Sequence, residues 1–173
     1  CTLVEADAEE RAAMVVALTT NHTHFFREAH HFDHLRETLL PRLKAKAQRR
    51  EPVRIWSAAC SSGEEVYTLA MCLLGTDAQS AGWLRNADVR LLATDISPPV
   101  VAAAVRGVYP DAAGAAVPEP YRKAWMRRQG DQWAIADEAK ALVTARVLNL
   151  FGPWPMRQHY DAIFCRNVMI YFD

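Results

Sequence analysis

Val53-Arg-Ile-Trp-Ser-Ala-Ala-Cys-Ser-Ser-Gly-Glu-Glu-Val-Tyr-Thr-Leu-Ala-Met-Cys-Leu73 is the stretch that decides the fold. Val53, Ile55 and Trp56 read as a buried strand, Ser61, Ser62 and Gly63 as a tight small-residue turn, and Val66, Leu69, Ala70 and Leu73 recur at helical spacing. A strand passing through such a turn into a helix opens an α/β sheet. Nucleotide-like ligands sit in the crevice beyond the carboxyl end of that strand, where small residues let the backbone approach them closely. Glu65, at the start of the helix, would repel a phosphate and instead suits a cationic group.

Downstream, Val89-Arg-Leu-Leu-Ala-Thr-Asp95-Ile96 reads as a second buried strand ending in an acid. Ser97 is placed to cap the next helix, Pro98 to begin it and Gly107 to stop it, which completes a right-handed βαβ unit. On position alone Asp95 can bridge ribose hydroxyls or serve as a second helix cap. Residues 109–142 interrupt the alternation with Pro110, Gly114, Pro118 and Pro120; Tyr121 to Arg128 reads as a short helix, and Gly130-Asp131 as a hairpin turn before Gln132-Trp-Ala-Ile135. This region, about 110–145, is expected to be a small insertion on the ligand side of the sheet. Arg146 to Phe151 reads as a third strand with Asn149 near its end, and Tyr160 to Asn167 as a fourth, ending in Arg166 and Asn167. Three polar strand ends beside one small-residue turn point to a convergent site.

Upstream, Glu5 to Leu18 has the pattern of an amphipathic helix, so residues 1–20 are expected to be the tail of a helical domain or a linker. Thr19 to Glu28 combines turn and cap formers with Phe25 and Phe26; its Asn, Thr and Arg residues either cap and pack or close over a ligand. Phe32, Leu35, Leu39 and Leu43 form a helical stripe that Pro41 is expected to bend or break. The basic run of Arg42, Lys44, Lys46, Arg49 and Arg50 reads as a solvated helix end. Five of the six histidines fall at positions 22, 24, 30, 31 and 34, yet no carboxylate or cysteine joins them at ligand spacing, so no metal centre is expected.

The 173 residues allow one sizeable core, and 51% hydrophobic with 23% charged residues is ordinary for a globular domain. A formal net charge of zero argues against wholesale binding to nucleic acid or to an anionic membrane. No apolar run reaches the roughly 18 residues of a spanning helix, and a cytoplasmic location is expected. The four cysteines form no CxxC pair and read as small, largely buried thiols. A start at Cys1 and an end at Asp173, directly after an apolar strand, lead us to expect an excerpt of a longer protein.

Thr20-Asn-His-Thr-His-Phe-Phe-Arg-Glu-Ala-His-His-Phe32, Trp56-Ser-Ala-Ala-Cys-Ser-Ser-Gly-Glu-Glu65, Ala93-Thr-Asp-Ile96, Asn149-Leu150 and Phe164-Cys-Arg-Asn-Val-Met-Ile-Tyr-Phe-Asp173 together resemble the CheR-type chemotaxis receptor methyltransferases. The blocks follow that family's order. The resemblance implies an α/β fold over residues 21–173: a Rossmann-like S-adenosylmethionine-dependent methyltransferase sheet flanked by helices, with a small inserted β-subdomain. It further implies S-adenosylmethionine as methyl donor, S-adenosylhomocysteine as product and chemoreceptor glutamates as acceptors. Carried over motif by motif, the cofactor residues are Asn21, Thr23, Arg27, Glu65, Asp95, Asn149, Leu150, Arg166 and Asn167, with Asp95 on the ribose. Arg27 and Tyr171 match residues placed near the transferred methyl and the acceptor.

The chain departs from that pattern in places. Ser62 and Val66 stand where relatives usually have Thr and Pro, and only a stub of the N-terminal helical domain precedes the first block. By the same resemblance the sequence stops before the last helices and strands, leaving the fourth strand as an apolar sheet edge. The short hairpin Arg128-Gln-Gly-Asp131 resembles members that act on the cytoplasmic domains of chemoreceptors without a receptor-tail tether. A non-catalytic module that senses S-adenosylmethionine or holds partners is the alternative from another class. A nicotinamide oxidoreductase is disfavoured by the absence of a GxGxxG turn.

Overall fold

The computed structural model describes residues 22–171, so Asn21 and the expected helix at 5–18 lie outside the described residues. A helical run opens the fold: α1 (His30–His34) passes through one π-helical stretch, Leu35–Leu39, into α2 (Leu40–Gln48). Phe32, Leu35 and Leu43 are buried along it and Leu39 is partly buried, as their spacing predicts. Pro41 does not end the helix. It falls in the first turn of α2, where the wider turn before it relieves the demand for the N–H that proline lacks.

β1 (Val53–Ala58) leads through the small-residue turn into α3 (Glu64–Leu74). Ten of the eleven α3 residues are buried, which makes it a central helix rather than an amphipathic surface one. It packs on β2 (Val89–Asp95) and β6 (Val143–Val147) of the sheet, and also on α1, the π turn and the short helix α7 (Asp137–Lys140). The loop expected between α3 and β2 contains a 3₁₀ turn, Ser80–Leu84, which the Asp77 carboxylate nucleates by accepting from Ser80 N at 2.7 Å and from Ser80 Oγ at 3.0 Å.

With β7 (Ala162–Phe164), these strands make a parallel sheet in the order β6-β2-β1-β7. The chain moves outward from β1 through β2 to β6 and then returns to the other side of β1. That reversal creates a topological switch point between β1 and β7, with the ligand crevice of a Rossmann-like fold above it. Helix α4 (Pro98–Arg106) follows β2 and ends at Gly107, whose φ of +58° suits a left-handed cap. The third strand begins and ends earlier than expected, because Ala145 is the residue that turns into the core and the chain folds back on itself at Asn149. The fourth strand is likewise shorter: β7 pairs with β1 only between Ile55 and Ser57. Asp161 anchors that edge, accepting from Arg54 N at 2.8 Å and from Lys46 Nζ at 2.5 Å, while Ile163 remains 54% exposed.

Between α4 and β6 lies a second, antiparallel sheet of β3 (Val108–Pro110), β5 (Gln132–Ile135) and β4 (Met126–Gln129), in that order. Two short helices, α5 (Asp111–Ala115) and α6 (Glu119–Trp125), fall within it. The helix expected over residues 121–128 therefore stops at Trp125. Trp125 Nε1 donates to Gly75 O at 2.5 Å, and the buried Met126 starts a strand paired with Ile135. Two further bonds fasten the small sheet to the body, Tyr109 OH to Ser62 O at 2.9 Å and Ile135 N to Gly107 O at 2.8 Å. Among the described residues no helix is long and apolar enough to cross a membrane.

The small sheet leaves no room over Gly114, where an added Cβ would lie 2.2 Å from Trp133 Cδ1. The Trp133 ring cannot swing away freely, because the guanidinium groups of Arg122 and Arg128 stand 5.5 and 5.2 Å from its centroid. Gly114→Ala is expected to lower unfolding free energy in urea by about 1–3 kcal/mol through overpacking. The same change at Gly130, which has open space around it, is expected to cost about 1 kcal/mol, through its left-handed φ alone.

Candidate cofactor site

The turn after β1 is held in a conformation that side chains other than glycine rarely adopt. Gly63 has φ +99°, and a Cβ there would approach Ala104 Cβ of α4 to 2.9 Å and the Tyr109 hydroxyl to 3.0 Å. Ala59 and Ser61 are also left-handed, at φ 60° and 50°. What holds the turn is Asp95, at the end of β2: its Oδ2 accepts from Ser61 N at 2.8 Å and its Oδ1 from Ser97 N at 3.0 Å. Each oxygen keeps a lone pair after those bonds, so a pair of neighbouring hydroxyls would find acceptors there. Asp95 O accepts from Leu148 N at 2.8 Å, which brings the end of β6 alongside. Asn149 follows, its Oδ1 taken by Phe151 N at 2.9 Å, and Leu150 lies half-buried beside it. Among the described residues Ser97, expected to cap α4, makes no side-chain cap bond and finds no partner for its buried Oγ.

A second cluster stands at the switch point between β1 and β7. Glu65 Oε1 accepts from Ser57 Oγ at 2.7 Å and Oε2 from Arg166 Nη1 at 3.0 Å. Arg166 also donates through Nη2 to Arg27 O at 2.6 Å and to Glu28 Oε2 at 3.1 Å, and its guanidinium carbon lies 5.3 Å from the Phe32 ring centroid. Asn167 Nδ2 donates to Glu28 Oε1 at 3.2 Å. Arg27 turns its Nη1 back onto His22 O at 2.7 Å. Phe25 seats the 22–28 segment, its buried ring edge-on to Tyr109 at 4.9 Å, and Phe26 N donates to Thr68 Oγ1 of α3 at 3.2 Å. Thr23 is half-buried in the same segment.

Two groups of expected site residues are thus brought to one edge of the sheet: Asp95, Asn149 and Leu150 over β2 and β6, and Arg27, Glu65, Arg166 and Asn167 over β1 and β7. Tyr171 ends the 3₁₀ turn Met169–Tyr171 beyond Asn167. The sequence did not single out Glu28, Ser57 or Tyr109. Glu28 stands next to Arg27 in the Phe25-Phe-Arg-Glu28 block and reads there as the start of a helix; only its distant partners distinguish it.

Burial sets the chemistry of the acids. The Glu65 carboxyl is pushed above its ordinary range by desolvation, against the pull of Ser57 and Arg166. Glu64, 7% exposed and bonded to Ser62 Oγ at 2.7 Å, is also raised by desolvation. Glu28 moves the other way, to about 2, through hydrogen bonds from Asn167 and then Arg166. Burial pushes the Cys60 thiol far up, so it is no nucleophile at neutral pH. Among the described residues no three His, Cys, Asp or Glu side chains gather as a metal site.

A carboxyl raised in the folded state weakens the fold as pH rises from its unfolded value towards its folded one. Between about pH 4.5, the ordinary carboxyl value, and neutrality, the loss of thermal stability is expected to be smaller in Glu64→Gln than in the parent. Melting curves across that range check this, and parallel curves for the two proteins would contradict it.

The donor and acceptor set fits S-adenosylmethionine: Asp95 retains acceptors for ribose hydroxyls, and acidic side chains flank a small-residue turn instead of the cationic side chains that a phosphate would demand. Comparison with known proteins agrees with that chemistry. The family described as CheR methyltransferase, SAM binding domain, matches residues 21–173. The chain is 44% identical over 179 residues to a probable chemotaxis protein methyltransferase of Rhizobium etli, covering 100% of this chain and 65% of that protein. It is 41% identical over 164 residues to a chemotaxis protein methyltransferase of Borreliella burgdorferi, covering 92% of this chain and 57% of the relative. With that of Escherichia coli the identity is 38% over 171 residues, covering 95% and 55%. The chain therefore spans between 55% and 65% of the length of these relatives. A parallel sheet with its switch point at β1, an acid-braced turn above it and a match running through both clusters lead to one assignment: the chain belongs to the CheR methyltransferase family, as its SAM-binding domain.

Proposed function

We propose that this protein transfers a methyl group from S-adenosylmethionine to glutamate side chains on the cytoplasmic domains of chemoreceptors, forming glutamate methyl esters and S-adenosylhomocysteine. The observation that carries the proposal is the cluster at the switch point, where Arg166 donates to the Arg27 carbonyl and to Glu65, itself two residues along the chain from the Asp95-braced turn that ends at Gly63. Bound S-adenosylmethionine supplies an electrophilic methyl on a sulfonium.

Each residue of the chain has a task in that reaction. Asp95 accepts the ribose hydroxyls through the lone pairs that Ser61 and Ser97 leave open. Glu65 keeps an acceptor for an ammonium group and is held in place by Ser57 and Arg166. Asn21, Thr23, Asn149, Leu150, Arg166 and Asn167 complete the cofactor contacts. Arg27 orients the acceptor carboxylate with parallel N–H bonds, and Tyr171 is assigned by its motif to help the acceptor. A glutamate acceptor has an unperturbed pKa of about 4.3 and is already ionised, so no general base is needed. The protein's work is alignment of oxygen, methyl and sulfur, and exclusion of water. Residues 21–173 carry this work, with the small sheet as an inserted subdomain and the cytoplasm as its setting.

Gly130-Asp131 joins β4 to β5 with two residues, which supports action without a receptor-tail tether. Calorimetry with a receptor-tail pentapeptide is expected to show no binding, and tight binding would overturn this point. Label transfer tests the main proposal. Full-length protein, methyl-labelled S-adenosylmethionine and receptor cytoplasmic domains should yield base-labile label on glutamate. Retained S-adenosylhomocysteine binding without transfer would replace this function with a non-catalytic sensing module. Arg27→Ala is expected to lower turnover by about 100-fold while cofactor affinity stays within about threefold; equal losses in both would make Arg27 a cofactor residue only.

A further inference from the structure

Arg27, proposed for the acceptor, and Arg166 and Asn167, proposed for the cofactor, converge on one side chain to which the reaction assigns no role. Glu28 Oε1 accepts from Asn167 Nδ2 at 3.2 Å and lies 3.8 Å from Arg27 Nε. Its Oε2 accepts from Arg166 Nη2 at 3.1 Å and lies 3.3 Å from His31 Nε2. The two partners from the end of β7 are 138 and 139 residues away along the chain. Arg166 closes the loop of contacts by donating to the Arg27 carbonyl.

The backbone on both sides of this carboxylate is strained. Phe26 and Glu28 flank Arg27 with φ of 56° each, and Asn167 has φ 57°. Residues other than glycine rarely hold such angles, and only where their surroundings over-determine them. Phe26 is held by Thr68 and by packing, whereas Glu28 is held by its own carboxylate. The Arg27 guanidinium donates to His22 O and lies 3.8 Å from Glu28 Oε1, so it is carried by a backbone that this tie helps to hold. As a surface ion pair Glu28 would contribute little to stability, since its side chain is 38% exposed.

We propose that Glu28 is a positioning residue: it joins the 22–28 segment to the end of β7 and so sets the placement of Arg27 against the acceptor, without touching cofactor or substrate itself. The proposal rests on the methyltransferase function above. Gln at this position keeps the length but turns an amide donor towards donors already there, and Asp falls one methylene short of spanning Arg166 and Asn167.

The test uses full-length Glu28→Gln and Glu28→Asp, with turnover, S-adenosylhomocysteine affinity, melting temperature and amide hydrogen exchange at residues 22–28 read together. In both variants turnover is expected to fall about tenfold or more, with cofactor affinity within about threefold and melting temperature unchanged. Exchange at 22–28 should quicken while α3 stays protected. Adding Arg166→Ala to Glu28→Gln should lower turnover less than it does alone, because both act through one tie. Faster exchange with parental turnover would overturn the proposal. So would lost turnover with parental exchange, which would mean direct contact with the reaction, or lost turnover matched by lost folded protein. Should the parent protein transfer no methyl group, the methyltransferase function fails by itself, and the exchange data still decide whether Glu28 ties the two segments.

Discussion

The crevice edge of this domain depends on one carboxylate accepting two backbone N–H groups. A parallel sheet ends in open loops whose N–H groups have no partner strand, and here Asp95 takes one from each of the two central loops, at Ser61 and Ser97. That single group joins the end of β2 to the turn above β1 and permits the left-handed run at Ala59, Ser61 and Gly63. Tyr109 supports the same turn from below through the Ser62 carbonyl, so the small antiparallel sheet and the cofactor turn share a foundation.

The second half of the edge is an electrostatic problem with an unusual solution. Arg166 meets two carboxylates whose proton affinities move in opposite directions. Glu65 sits deep, with 14% of its side chain exposed, and desolvation outweighs the attraction of the guanidinium. Glu28 is at the surface, keeps its hydration and feels chiefly its donors. The contrast illustrates that a shared cation does not fix a carboxyl's behaviour; the dielectric around each acid does. It also leaves the guanidinium of Arg166 balanced by carboxylates on two sides.

The apolar run of β1, the glycine after it and the acid after β2 are local signals, and strand, turn and Asp95 were legible from them. Long-range partners were not. Glu28 looks like an ordinary first-turn acid until Arg166 and Asn167 arrive from the far end of the chain. The third strand was placed three residues late at its start and four at its end, because only Ala145 of β6 turns firmly inward and one small side chain leaves a weak periodic signal. Met126 to Gln129 carries charged residues that suit a helix; pairing with β5 overrides that preference, as tertiary context commonly does.

The π-helical stretch at Leu35–Leu39 has a consequence for how such domains vary. It sits between a helix fixed by Leu43 in the core and a turn that carries Phe32, whose ring lies beneath Arg166, 5.8 Å from Phe26 and stacked 6.2 Å from Phe164. Each α-helical residue advances the azimuth by about 100°. A π turn closes i→i+5 bonds, so the five residues of this stretch turn the chain about as far as four α-helical ones would, and Phe32 keeps the phase relative to Leu43 that an uninterrupted α-helix one residue shorter would give it. A one-residue gap here is therefore a length change that the helical run can absorb with Phe32 still under Arg166, whereas the same gap in the α-helical turns on either side would rotate that ring away from the site.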